Sequence, residues 1–498
     1  MAIKKTTTKK TATAKTVKTS TKSKPATLKP KTGYRIESDL LGEKYIPNNA
    51  LYGVQTLRGM ENFDISGKCH GNFPHFISGF AYTKWGAAEA NYKMKLISKS
   101  QRDGIVYACK QLLAGKHYEH FPVDMMQGGA GTSGNMNANE VIANLALEHM
   151  GKKRGQYEFC SPNDVVNCSQ STNDAYPTAI HFAMYLYHQD LFLAMNYLIE
   201  SLEKKAKEFK NIIKMGRTQL QDAVPMTLGQ TFQGFADLLK SELRKQDFVS
   251  KDFLECNMGA TAIGTGICSE PGYSELCIKE LQKITGWDIH LAKNLVEVTS
   301  DTSCLVGYSG ILKRLAIKLG KICNDLRLMS SGPRCGLYEI NLPPMQPGSS
   351  IMPGKVNPVI PEVVNQICFK VIGNDVTVTM AADAAQLELN VMEPVIVYSL
   401  FESFEWMMSG LITLRDLCID GITANEEQCK KMVLNSIGIV TALNPHIGYK
   451  NSTKIAKEAL ETGASVYDLI IAQKILTKEQ VDKILSPKNM IKPIKFDV

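Results

Sequence analysis

Between Ile180 and Phe209 the apolar residues Ile180, Met184, Tyr187, Leu191, Ala194, Leu198, Leu202, Ala206 and Phe209 advance by three or four positions at every step. Only an α-helix returns such positions to one face. The stripe predicts a helix of about 30 residues, against a usual length of about 10–14. Asn173 and Asp174 followed by Pro177 read as its start, a capping residue type ahead of a first-turn proline. A helix this long with one apolar face needs partners of similar length. The chain is therefore expected to be mainly α and organised around a bundle, with some of the partner helices coming from other subunits.

Three polar islands interrupt this helical background. Gly128–Asn137 (GGAGTSGNMN) is rich in glycine and hydroxyls and precedes a helical pattern. Gln170–Asp174 (QSTND) stands at the start of the long helix, and Gly348–Pro358 (GSSIMPGKVNP) precedes an apolar run from Pro361. No histidine lies in any of them, and neither His-Glu-x-x-His nor a clustered His/Cys set stands out, so no built-in catalytic metal is expected. The 348–355 loop fails as a phosphate-binding loop, because five residues separate Gly348 from Gly354 and Val356 stands where Ser or Thr is required. What remains is hydroxyls, amides, glycine backbone and one lysine. Those groups, with a helix N-terminus after QSTND, suit a small dicarboxylate. From spacing alone, the same clusters also read as ordinary helix caps.

Charge and cysteines narrow the class. The formal charge of +8 comes from ten lysines in residues 1–32, a stretch with no arginine or acid; the rest is close to neutral and offers no broad basic field for nucleic acid. The tail is Lys/Thr/Ala-rich and too poor in apolar surface to fold alone, with the composition of a weak polyanion-binding arm. Thirteen cysteines, none in a C-x-x-C pair, read as free thiols of a reducing cytoplasm. No run of 18 apolar residues is present, so no membrane span is expected.

The segment GSSIMPGKVNP (348–358) resembles the signature of the aspartase/fumarase superfamily. QGGAGTSGNMNANEVIAN (127–144), SPNDVVNCSQSTNDAYPT (161–178) and GRTQLQDAVPMTLGQ (216–230) resemble its other blocks in order and spacing, and the likeness runs from about Tyr34 to the C-terminus. The resemblance implies a three-domain subunit with a central long-helix bundle, in a homotetramer whose active sites are each shared by three subunits. The expected division is a disordered tail (1–32), an N-terminal domain (33–170), a central bundle domain carrying the signature loop (171–427) and a small C-terminal domain (428–498). Carried over by motif, Ser349 is the base that removes a proton beside a carboxylate, with Lys355 and loop N–H groups stabilising its alkoxide. Thr132, Ser171, Thr172 and Ser350 would grip the resulting aci-carboxylate. Lys355 and Asn357 would hold the other carboxylate, and Asn173 and Thr218 would sit near the leaving group.

The family divides by leaving group. Gln219 stands where fumarases carry histidine, and a neutral amide accepts a hydrogen bond from an ammonium that an imidazolium would repel. This implies elimination of ammonia from L-aspartate to give fumarate, with no organic cofactor. Hydration chemistry on L-malate is the alternative, and a silent scaffold or polyanion binder is the non-enzymatic one. Activation by a divalent cation outside the catalytic residues, found in some members, is left open. Gly134 departs from the family pattern and is expected to loosen its loop.

Overall fold

The computed structural model describes residues 28–491. Most of the lysine-rich tail, residues 1–27, lies outside the described residues, as do 492–498. An antiparallel hairpin, β1 (Tyr34–Asp39) with β2 (Gly42–Pro47), opens the described chain. Helix α1 (Pro74–Lys93) and helix α2 (Thr132–His149) follow, then the long helix α3 (Thr172–Glu208). A second antiparallel hairpin, β3 (Ile213–Thr218) with β4 (Gln221–Thr227), leads into α4 (Leu228–Ser250). The remaining long helices are α5 (Ser303–Met329), α6 (Val359–Asp383) and α7 (Glu393–Leu417).

These last five long helices close into a ring. α3 packs on α4 and α7, α4 on α5, α5 on α6, and α6 on α7, while α1 lies against the outside of α3. Every residue of the predicted stripe from Ile180 to Phe209 is buried in the shared core. Tyr187, Phe404 and Tyr308 stack through it, with ring centroids 5.3 and 5.2 Å apart. α7 is the one helix among the described residues long and apolar enough to cross a membrane by length and composition, but its Leu400, Phe401, Phe404 and Leu411 are buried core. A separate apolar cluster joins the short helices after Glu426 to Met215 at the base of β3.

The long helix has 37 residues, more than the stripe alone predicts, and it starts earlier than Pro177. Ser171 is the N-cap. Its hydroxyl accepts from the Asn173 N–H at 3.2 Å, and its own N–H donates to Asp174 Oδ1 at 2.9 Å, a capping box. Pro177 therefore sits in the second turn, where its missing N–H leaves the Asn173 carbonyl without a helical donor. Asn257 Nδ2 donates to that carbonyl at 3.0 Å, which lets the helix run through the proline.

Candidate active site

Three left-handed residues, Gly129, Ala130 and Gly131, turn the first island into α2. A Cβ on Gly131 would stand 2.5 Å from the Tyr176 ring, so only glycine lets this turn approach α3. Thr132 begins α2, exposed, with its hydroxyl donating to the Gly129 carbonyl at 2.8 Å. Gly134 does not loosen this segment. It is buried in the first turn of α2, where an added Cβ would lie 2.2 Å from His70 Cε1, so the buried imidazole fills the space a larger side chain would take.

The first two islands meet. Asn135 Nδ2 donates to Thr172 Oγ1 at 3.2 Å and to Asn167 Oδ1 at 3.1 Å. Asn173, at the same helix start, donates to the Ala262 carbonyl at 2.8 Å. Asp174, beneath them and fully buried, accepts from the N–H groups of Gly259 and Thr261, both at 3.0 Å. Burial pushes its carboxyl up to about 6 against those donors and Lys84.

Motif reading missed Lys84, which lies beneath the paired islands. It is fully buried on α1 and donates to Asn167 Oδ1 at 3.0 Å and Gln170 Oε1 at 2.9 Å. A signal was there, because Lys84 occupies an apolar stripe with Ile77, Phe80, Ala81, Ala87 and Ala88. Burial drives its ammonium down to about 7, with Asp174 opposing. Two acceptors satisfy the neutral amine's two N–H groups, so the uncharged form fits this setting well. Because the folded value lies below the ordinary 10.5, the unfolded chain binds more protons from about pH 7 upward. Stability relative to a Lys84→Met variant is therefore expected to rise between pH 7 and 10 by on the order of 1.4 kcal/mol per unit at most. Urea denaturation of both proteins at several pH values checks this; a difference flat with pH would mean that Lys84 titrates normally.

The signature loop closes on itself. The Gly348 N–H donates to the Lys355 carbonyl at 2.7 Å, and Asn357 Nδ2 donates to the Gly348 carbonyl at 2.7 Å. A Cβ on Gly348 would meet the Lys355 carbonyl oxygen at 2.5 Å, so glycine is required for closure. Within this ring Ser349 Oγ accepts two backbone N–H groups, from Ile351 and Met352, each at 3.1 Å. Ser350 and Lys355 are exposed on the loop.

Thr218 and Gln219 stand at the exposed tip of the β3–β4 hairpin. Gln219 and Leu220 form its two-residue turn with φ of +55° and +64°, both left-handed and neither glycine. Such a turn stores strain of about 1–3 kcal/mol per residue. The base is held by the fully buried Glu339, which pairs with Arg217 at 2.7 Å and Lys214 at 2.9 Å. Within one chain, among the described residues, no hydrogen bond links the signature loop or the hairpin tip to the paired islands around Thr132 and Thr172.

A family model described as Lyase matches residues 42–373, and one described as Fumarase C C-terminus matches 439–492. The aspartate ammonia-lyase of Helicobacter pylori (strain ATCC 700392 / 26695) is 55% identical over 462 residues, covering 93% of this chain and 99% of the relative. That of Escherichia coli (strain K12) is 54% identical over 460 residues, covering 92% and 96%. Among solved structures, a fumarate lyase:delta crystallin from Brucella melitensis bound to cobalt superposes with a TM-score of 0.90 at 50% identity, covering 92% of this chain and 100% of that one. The class II fumarase from Schistosoma mansoni gives 0.86 at 33% identity, covering 93% and 100%.

Proposed function

The chain belongs to the lyase family of aspartases and fumarases, and we propose that it eliminates ammonia from L-aspartate to give fumarate with Ser349 as the base. The observation that carries the base assignment is the pair of N–H groups converging on Ser349 Oγ. A serine hydroxyl is a weak base unless its alkoxide is stabilised, and preorganised backbone donors do that without reorganising during the reaction. Ser349 takes the proton from the carbon beside one carboxylate, and the C–H electron pair moves into that carboxylate as an aci-carboxylate dianion. The pair then returns to form the double bond as the C–N bond breaks and ammonia departs.

Thr132, Ser171, Thr172 and Ser350 are assigned to the aci-carboxylate. The Asn135–Thr172 bond supports this by holding two of these segments together at adjoining helix starts. Lys355 and Asn357 hold the second carboxylate, and Asn173 and Thr218 lie near the leaving group. Gln219 favours the ammonium substrate over malate through its neutral amide. No organic cofactor enters this reading.

A homotetramer whose sites draw on three subunits accounts for the separation of the loop and hairpin from the paired islands. It also accounts for exposed apolar side chains along the bundle: Phe369, Val376 and Met380 on α6 share one face, and Leu193 and Tyr197 stand out on α3. Thirteen free thiols suit a reducing compartment and support a cytoplasmic location.

The test is fumarate absorbance in parallel assays with L-aspartate and L-malate. Turnover of aspartate alone is expected; turnover of malate alone would assign the hydration reaction and remove the role given to Gln219.

A further inference from the structure

His117, Glu119 and His120 bring two imidazoles and a carboxylate together on one short turn, a cluster that the sequence reading passed over when it looked for His-Glu-x-x-His spacing. One ligand atom from each lies within 4.8 Å of the others. The turn is built rigidly. His117 takes left-handed backbone with φ +68°, the His120 N–H donates to the His117 carbonyl at 3.1 Å, and the Tyr118 hydroxyl donates to the Leu112 carbonyl at 3.1 Å. The two imidazoles lie nearly parallel, 22° apart with centroids at 6.4 Å, and Glu119 Oε1 is 3.6 Å from His120 Nε2. The nearby cation Arg154 is already paired with Glu148 at 2.6 Å.

We propose that His117, Glu119 and His120 bind one borderline divalent transition ion, of the Zn²⁺, Co²⁺ or Ni²⁺ class, at a site separate from the proposed catalytic residues. The donor set selects the class. Imidazole nitrogen suits these ions, whereas Mg²⁺ and Ca²⁺ require an oxygen-rich shell that one carboxylate does not provide. Bonds of about 2.0–2.2 Å put tetrahedral ligands roughly 3.3–3.5 Å apart. Closing the present spread of up to 4.8 Å to that separation requires rotation of the exposed Glu119 and half-buried His117 side chains, with the fourth position left to water. The His120 carbonyl accepts from Asn137 Nδ2 at 2.9 Å, so the turn is tied to α2, the helix that Thr132 begins.

The test uses the untagged full chain, stripped with chelator and titrated with Co²⁺ under visible absorption and equilibrium dialysis. One ion per chain is expected, with ligand-field bands of a nitrogen and oxygen site and with retention in excess Mg²⁺. His117→Asn with His120→Asn should weaken binding at least about tenfold. Asparagine tolerates the left-handed backbone at 117, so the fold should persist. Co²⁺ should also raise the Tm of the wild type and leave that of the double variant unchanged. Undiminished binding in the double variant, or displacement by equimolar Mg²⁺, would overturn the proposal. So would a near-ultraviolet thiolate-to-cobalt band, which would assign the ion to exposed cysteines such as Cys268 or Cys335.

Discussion

Ser349→Ala is expected to lower kcat by about 10²–10⁴-fold, the range a positioned proton-transfer group contributes. The hydroxyl is the proton acceptor, and alanine leaves the Ile351 and Met352 N–H groups pointing at an empty position. Water could fill that position, but it would not be held at the distance and angle that proton transfer demands. Fold and assembly should survive. The ring around the residue is closed by Gly348, Lys355 and Asn357, none of which uses the serine side chain. The measurement is steady-state turnover of L-aspartate, with circular dichroism and sedimentation as controls for structure. A variant that turned over at near-normal rates would move the base to another residue. A loss of kcat accompanied by loss of folded protein would be uninformative for a catalytic role, and for that reason Ser349→Gly, which makes the same chemical deletion without a Cβ, should be measured beside it and should lose activity to the same degree.

The parts of this centre differ in how visible they are in one dimension. The α3 stripe is legible because a helix face repeats every three to four residues, and all nine stripe positions from Ile180 to Phe209 are buried. The start of that helix is not, because local rules place Pro177 in the first turn. The donor that repairs the proline's missing bond, Asn257, lies 84 residues away. The hydroxyls and amides of the islands are legible as chemistry. Glu339 is not, since its partners Arg217 and Lys214 stand 122 and 125 positions earlier, and for Lys84 only the stripe position is legible, not its partners 83 and 86 residues away. The β3–β4 hairpin escaped because Gln219-Leu220 lacks the Asn-Gly or Asp-Gly sequence that announces such a turn. Gly134 was misjudged for a similar reason. Its lost volume is recovered by His70, 64 positions earlier, and nothing local to Gly134 reports that.

Glu339→Ala is expected to destabilise the fold by about 3–5 kcal/mol, the usual result of stripping one partner from a buried ion cluster. Glu339 is fully buried and is shared by Lys214 and Arg217, whose side chains are 8% and 14% exposed. Removing it would strand two cations away from water, and that penalty exceeds the strength of the pairs themselves. The position also joins three regions. Its N–H donates to the Met329 carbonyl at the end of α5, its carbonyl accepts from Asn425, and its carboxylate anchors the strand leading to Thr218 and Gln219. Stability and function should therefore separate in a further variant. Replacing Glu339, Lys214 and Arg217 together with methionine should restore most of the stability, because apolar replacements of buried ion clusters are often neutral or better. It should not restore L-aspartate turnover, because the strained hairpin tip would lose the charged anchor that sets its angle. Urea midpoints and kcat/KM for both variants decide the matter. A loss below about 1 kcal/mol in Glu339→Ala would place the cluster with exposed ion pairs. Full activity in the triple variant would show that the hairpin's own turn, rather than Glu339, positions Thr218 and Gln219.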